Sequence, residues 1–376
     1  MKHTRQRFAA VIGAVAAAAA LLTAGTAQAA PAGDHSATLA ALKTFQAAAG
    51  PGAGIFAGDT TGSWQLSVGT STINTSKPVL ADQYFRIGSQ SKSFTAATVL
   101  ALADEGKVAL DASVATYLPG VVNGNGHDGT VITVRQLLQH TSGIPSYDPL
   151  GSLALAEPDG SFKAATLVRE GLKRPPAGAP GTVFSYSNTN YLILGMIVEE
   201  VTGLPVHEAV TRRVIQPLGL TRTLFPAPGD RALPAPGIPG YHGARLGPFF
   251  FWSPALDYDP SLFGPAGAVI STEQDLATFY RALLNGQVLS PAMTAELLAT
   301  TPVTSDAYGL GVFRMALSCG GEAWGHNGGV PGYFSQTVAT KDGRYASAMT
   351  NVHFTNNTPV QQIFTLLDTA LCENHR

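Results

Sequence analysis

Between residues 89 and 105 the sequence has a helical pattern that is apolar on nearly every side. Phe94, Ala96, Ala97, Val99, Leu100, Ala101 and Leu102 leave no polar face, and Gly106 follows where helices commonly end. A surface helix keeps a polar stripe, so a helix without one has to be enclosed by the rest of the fold. The segment therefore demands a protein with layers packed around a central helix. That helix begins Ser89-Gln90-Ser91-Lys92, which sets a hydroxyl and an ammonium three residues apart on one face, within reach of each other.

The flanking sequence supplies the layers. Residues 53–59 and 64–70 read as a β-hairpin, 83–87 as a third extended piece, and 308–317, 333–340 and 344–352 as strands before an amphipathic helix at 360–371. Two N-terminal and three C-terminal strands predict a single antiparallel five-stranded sheet flanked by helices, an α/β (α+β) fold. Residues 111–260 are mostly helical, with Pro/Gly-rich connections at 174–181 and 225–240 and a strong helix over 190–201 closed by Gly203. They predict an inserted helical lobe (111–260) between the two parts of an α/β lobe (30–110 and 261–376), together one domain over 30–376. No internal repeat occurs, and no low-complexity segment beyond the N-terminal leader.

The first 29 residues read as that leader. Lys2, Arg5 and Arg7 precede an apolar run at 8–24 and the small-residue cleavage site Ala27-Gln28-Ala29, the layout of a secretory signal peptide. The run is short for a bilayer span of ~20 residues, which predicts a secreted, extracellular protein without a stable membrane anchor. Without the three leader cations, 20 basic residues face 25 acidic ones. A net charge near minus five with no basic stretch argues against nucleic acid as a partner. Only Cys319 and Cys372 occur, both in the exported part; an oxidising destination and an even count predict a disulfide tying the last helix to the sheet.

Ser-x-x-Lys is a weak pattern alone, but its setting gives it chemistry. Free N–H groups at a helix N-terminus favour an oxyanion and disfavour a protonated lysine, and burial lowers the lysine pKa further, so Lys92 can accept the serine proton. Two more segments carry suitable groups: Tyr186-Ser187-Asn188, just before the helix at 190, and Gly325-His326-Asn327-Gly328-Gly329, between two predicted strands. The set and order, Ser-x-x-Lys, Tyr-x-Asn, His-x-Gly, resembles the three active-site motifs of the serine β-lactamase and D,D-peptidase superfamily. Phe85-Arg86-Ile87-Gly88-Ser89, Leu137-Leu138-Gln139-His140-Thr141-Ser142-Gly143-Ile144, Phe184-Ser185-Tyr186-Ser187-Asn188-Thr189-Asn190 and Gly267-Ala268-Val269-Ile270-Ser271-Thr272 extend the likeness over most of the mature chain. It is most similar to secreted D-alanyl-D-alanine carboxypeptidases and class C β-lactamases.

The resemblance implies a β-lactamase-like fold with Ser89 as the acylated nucleophile, Lys92 as its proton partner and Tyr186 as a second proton-transfer group. Which of Lys92 and Tyr186 is the base in each half-reaction stays open. It makes Asn188 a donor to the substrate amide, places His326 on the strand edge usually held by lysine or histidine, and forms an oxyanion hole from the N–H groups of Ser89 and Gly329. Glycines at 328 and 329 let only backbone approach there. An unperturbed His326 titrates near pH ~6.5, which would let its cation hold an anionic substrate. No cofactor and no metal are implied: His207-Glu208 lacks a second histidine at zinc spacing. Gly-x-Ser-x-Gly is absent too, which disfavours an α/β-hydrolase. His140 reads as a structural, buried histidine. The run Phe249-Phe250-Phe251-Trp252, with Tyr258 and Phe263 downstream, suits either a substrate cleft or lobe packing.

Departures from the pattern concern the substrate. Carboxypeptidase-like relatives place hydroxyls or an arginine around the third motif to hold a terminal carboxylate. Here the positions are Asn327 and Gly329, Phe313 stands where the arginine belongs, and Arg314 should point to the opposite face. The expected activity is a serine hydrolase working through a Ser89 acyl-enzyme on small peptides, esters or β-lactams, as a D-alanyl-D-alanine carboxypeptidase on peptidoglycan stem peptides. An esterase, amidase or D-amino-acid peptidase on the same scaffold is the alternative, and a penicillin-binding sensor is the non-enzyme alternative. The protein is expected to be a monomer.

Overall fold

Strands that separate two cores must alternate their side chains between them, and the C-terminal strands do. The computed structural model describes residues 34–374 apart from 247–248, 306 and 354–357; the leader at 1–29 lies outside the described residues. The main antiparallel sheet is built from β1 (Gly52–Gly58), β2 (Ser63–Gly69), β3 (Phe313–Ala316), β4 (Glu322–Val330), β5 (Tyr333–Ala339) and β6 (Tyr345–Thr350), in the order β2-β1-β6-β5-β4-β3. In β6, Ala346 and Ala348 pack into one core while Tyr345 and Met349 pack into the other. The hairpin near the N-terminus closes on the last strand, with Ala53 opposite Thr350 and Gly58 opposite Tyr345.

One face is covered by α1 (Ser36–Ala49), which brings Leu42 and Phe45 over Ile55, Val338 and Ala348. On the other face the central helix, α2 (Ser91–Asp104), is buried almost along its whole length. Phe94 stacks on Phe279 at 3.8 Å. The hydroxyls inside this apolar cylinder are all spoken for, as burial requires. Ser91 donates to the Gly88 carbonyl at 2.7 Å, Ser93 to Gly311 at 2.7 Å, Thr95 to Pro265 at 2.8 Å and Thr98 to Phe94 at 3.0 Å. Around α2 lie α3 (Asn188–Thr202), with Ile193, Leu194 and Ile197 buried, and α4 (Glu273–Leu284), which also lies against β5 and β6. The closing helix α5 (Thr358–Cys372) packs beside α1, and Cys372 at its end is bonded to Cys319, S–S 2.00 Å, between β3 and β4.

Two expectations need correction. The sheet has six strands instead of five. The missing one is β4, whose glycine-rich run lacks the side-chain alternation by which a strand is recognised in sequence. The strand expected at 308–317 is confined to Phe313–Ala316, because Leu310 and Val312 turn into the core around α2 and Tyr308 meets Phe313 only through an isolated bridge. The run at 249–252 falls on the second strand of a hairpin, Tyr241–Leu246 with Phe249–Pro254, on which Phe251 is 68% exposed. Among the described residues no helix is long and apolar enough to cross a membrane.

Candidate active site

Ser89 sits in a single 3-10 turn, Gly88–Gln90, at the entry to α2. The turn is fixed from behind: the Ile87 N–H donates to the Val269 carbonyl at 3.1 Å, and the Val269 N–H donates to Ser91 Oγ at 3.0 Å. Gly88 has φ +55, a left-handed conformation suited to glycine. It is also pressed against β4, since a Cβ there would lie 2.8 Å from the Gly329 nitrogen. Across the contact, a Cβ on Gly328 would lie 1.8 Å from the Ile87 carbonyl oxygen and 3.1 Å from the Ser89 nitrogen. Glycines at 88 and 328 thus let two backbones meet at the nucleophile. The site side of β4 is open there because β3 pairs only with Glu322–Gly325, leaving 326–330 as a free edge facing Ser89.

One turn further along, Lys92 is fully buried. Its Nζ lies 2.7 Å from Asn188 Oδ1, 2.8 Å from the Ala266 carbonyl and 3.0 Å from Ser89 Oγ. Burial holds its pKa well below the usual lysine value. A neutral amine has two hydrogens and one lone pair. In that form the two pure acceptors, Asn188 Oδ1 and the Ala266 carbonyl, take the hydrogens and the lone pair is left for the hydroxyl of Ser89, whereas in the ammonium form Nζ donates to all three.

Tyr186 stands at the mouth, 41% exposed as a residue, with its hydroxyl directed at Ser89. Desolvation of that hydroxyl pushes its pKa above the usual tyrosine value, and the Ser89 contact only partly offsets this, so the phenol keeps its proton at neutral pH. Lys92 Nζ is 4.9 Å from the centre of the ring. Asn188, the first residue of α3, spends its oxygen on Lys92 and keeps its amide hydrogens for a ligand.

His326 is on β4 as expected, but not as a charged group. It is 1% exposed, its Nε2 lies 2.9 Å from the Tyr308 hydroxyl and its Nδ1 2.5 Å from the Asn327 carbonyl. Nδ1 therefore donates to the carbonyl and Nε2 accepts from the tyrosine. Burial holds the imidazole down to about 3, well below the value near ~6.5 expected of an unperturbed group, so a cation that holds an anionic substrate is disfavoured there. Phe313 packs against its ring at 5.8 Å, and Arg314 turns away to Glu322 at 3.8 Å.

Ser89, Lys92, Tyr186, Asn188, His326, Gly328 and Gly329 are thus gathered from three distant stretches into one cluster, with Cys319 and Cys372 remote from it. Sequence reasoning missed the Ala266 carbonyl, which orients Lys92 but, as backbone, carries no residue signal. It also missed Tyr308, which sits in an irregular segment with no motif around it.

The family model for beta-lactamase matches residues 18–368. Penicillin-binding protein 4 of Amycolatopsis lactamdurans is 32% identical over 276 residues, 72% of this chain and 70% of that protein. A D-stereospecific amidohydrolase from Streptomyces sp. superposes with a TM-score of 0.79 and 37% identity over 91% of this chain and 100% of that one. The D-amino acid amidase of Ochrobactrum anthropi SV3, at 23% identity and a TM-score of 0.74 over 88% of this chain and 98% of its own, shares the fold. The chain belongs to the beta-lactamase family and is a serine hydrolase of the β-lactamase and penicillin-binding-protein type.

Proposed function

We propose that the chain is an exported amidohydrolase that cleaves D-configured amides and small peptides or esters through an acyl-enzyme on Ser89, without requiring a free terminal carboxylate. In this scheme neutral Lys92 takes the Ser89 proton as Oγ attacks the carbonyl carbon. The oxyanion forms between the N–H groups of Ser89 and Gly329, where fixed donors are most effective. Tyr186, still protonated, passes a proton to the leaving nitrogen and recovers one from Lys92. Asn188 donates to the acyl-side amide. Water then enters by the reverse proton path and frees Ser89, releasing an acid and an amine.

The observation that carries the substrate assignment is the absence, among the described residues of the β4 edge, of a cation to receive a carboxylate. His326 is buried and neutral, Phe313 offers a ring, and Arg314 is paired with Glu322 on the other side. Likeness to the Streptomyces D-stereospecific amidohydrolase over its whole length supports the same assignment. D-alanyl-D-alanine carboxypeptidase action is the second reading, favoured by likeness to a penicillin-binding protein. A matched pair separates them: kcat/KM for a D-Ala-D-Ala peptide and for its C-terminal amide. A charged hydrogen bond contributes ~1.5–3 kcal/mol, so lacking it, the amide is expected to be turned over at least as well as the acid. A hundredfold preference for the acid would establish the carboxypeptidase reading instead. Intact mass after exposure to a penicillin or an activated ester should show one adduct on the wild type and none on Ser89→Ala; equal labelling would overturn the nucleophile.

A further inference from the structure

His140 lies against the site without touching the reacting atoms. It follows the short helix Val134–Leu138, is completely buried, and holds a left-handed backbone at φ +60. L side chains adopt that conformation rarely, with His and Asn among the residues that accept it best, and such outliers gather near functional sites. What the conformation achieves is specific. The His140 carbonyl accepts the N–H of Ser185 at 2.9 Å, and its Nδ1 accepts the N–H of Ser187 at 3.1 Å. The residues on either side of Tyr186 are therefore fastened to one residue, and the ring of that residue lies under Tyr186 with centroids 4.3 Å apart. Asn190 Nδ2, at 3.4 Å, is a second and longer neighbour of Nδ1.

We propose that His140 is the positioning residue for Tyr186: its carbonyl, its Nδ1 and its ring together fix the tyrosine hydroxyl against Ser89. The assignment rests on the reading that Tyr186 transfers protons at Ser89. With Nδ1 accepting, the ring proton is on Nε2, which has no hydrogen-bond partner among the described residues. Protonating the ring would turn the acceptor into a donor and break the Ser187 contact. The groups packed around it are Lys92, His326, Tyr186, Tyr191 and Tyr308, with Phe184 edge-on. None is a carboxylate that would hold a second proton on the ring, and burial disfavours the imidazolium.

The test is a double-mutant cycle with D-alanine p-nitroanilide, whose leaving group needs a proton. His140→Ala removes the acceptor and the ring; His140→Asn keeps a side-chain acceptor near Nδ1 and suits the left-handed backbone. On the wild-type background His140→Ala should lower kcat about 100-fold with KM changed less than threefold, and His140→Asn should recover at least tenfold of that. On a Tyr186→Phe background the same His140→Ala change should cost less than about threefold, because its target is already gone. An equal loss on both backgrounds, a loss confined to KM, or no loss at all would overturn the proposal. Should His140→Ala fail to fold, the His140→Asn cycle decides by the same criterion, any loss vanishing on the Tyr186→Phe background. Wild-type kcat in Tyr186→Phe alone would instead refute the role of Tyr186, which the single mutant shows separately from the cycle.

Discussion

On one side of the sheet, α1 and α5 bury Leu42, Phe45, Leu366 and Leu367 against Ile55, Val338 and Ala348, and a disulfide fastens the end of α5 to the β3–β4 connection. On the other side, the same sheet helps bury Lys92, His140 and His326, each at most 1% exposed, behind the partly exposed Ser89. The first side is held by apolar area and a covalent tie, which stabilise without needing exact angles. The second contains ionisable groups whose charged forms desolvation disfavours, an arrangement that works against stability but favours a lone pair on Lys92 and a proton on Tyr186. Stability and chemistry are thus assigned to opposite faces, and each can be broken separately.

The largest effect is expected from breaking the chemical face. Lys92→Ala removes the base while leaving the backbone donors of Ser89 and Gly329 in place, and should slow acylation by about 10^4-fold, about 5 kcal/mol in barrier. Circular dichroism should still show a cooperative unfolding transition. A rate within tenfold of wild type would remove Lys92 from the mechanism.

Breaking the packing face should do the converse. Cys319 and Cys372 are 53 residues apart, and a closed loop of that size stabilises by about 4 kcal/mol in the chain-entropy model. The double change Cys319→Ser and Cys372→Ser should lower the urea midpoint accordingly yet leave kcat/KM within twofold at temperatures where the protein is folded. Loss of activity without loss of stability would mean that the two faces are coupled.

The smallest effect sharpens the contrast through pH. His326 is held down to about 3 in the fold, against ~6.5 in the unfolded chain. Between those values the unfolded chain binds a proton that the folded protein refuses. The stability contributed is complete above pH ~6.5 and is lost as pH falls towards 3. Comparing urea unfolding at pH 7 and pH 4, the wild type should lose about 3 kcal/mol more than His326→Gln, in which Tyr308 can still donate to an amide oxygen. Equal losses would show that His326 is not buried neutral.

The sequence by itself determined the central helix, because Phe94 to Leu102 leave no face for water, and it determined the nucleophile motif at the start of that helix. It also marked Tyr186, Asn188 and His326 through family likeness, and the disulfide through the export reading and an even cysteine count. The family likeness put His326 on a strand edge, but only the tertiary structure decided how the glycine-rich run at 325–329 is paired and what it touches. Its pairing comes from β5 and its close contact from Gly88, and neither leaves an alternating side-chain pattern to read. Nor could sequence decide the protonation of Lys92 and His326. Both depend on how much water the surrounding layers exclude and on where the Ala266 carbonyl and the Tyr308 hydroxyl fall, and these are set by packing between segments more than a hundred residues apart for Lys92 and eighteen for His326.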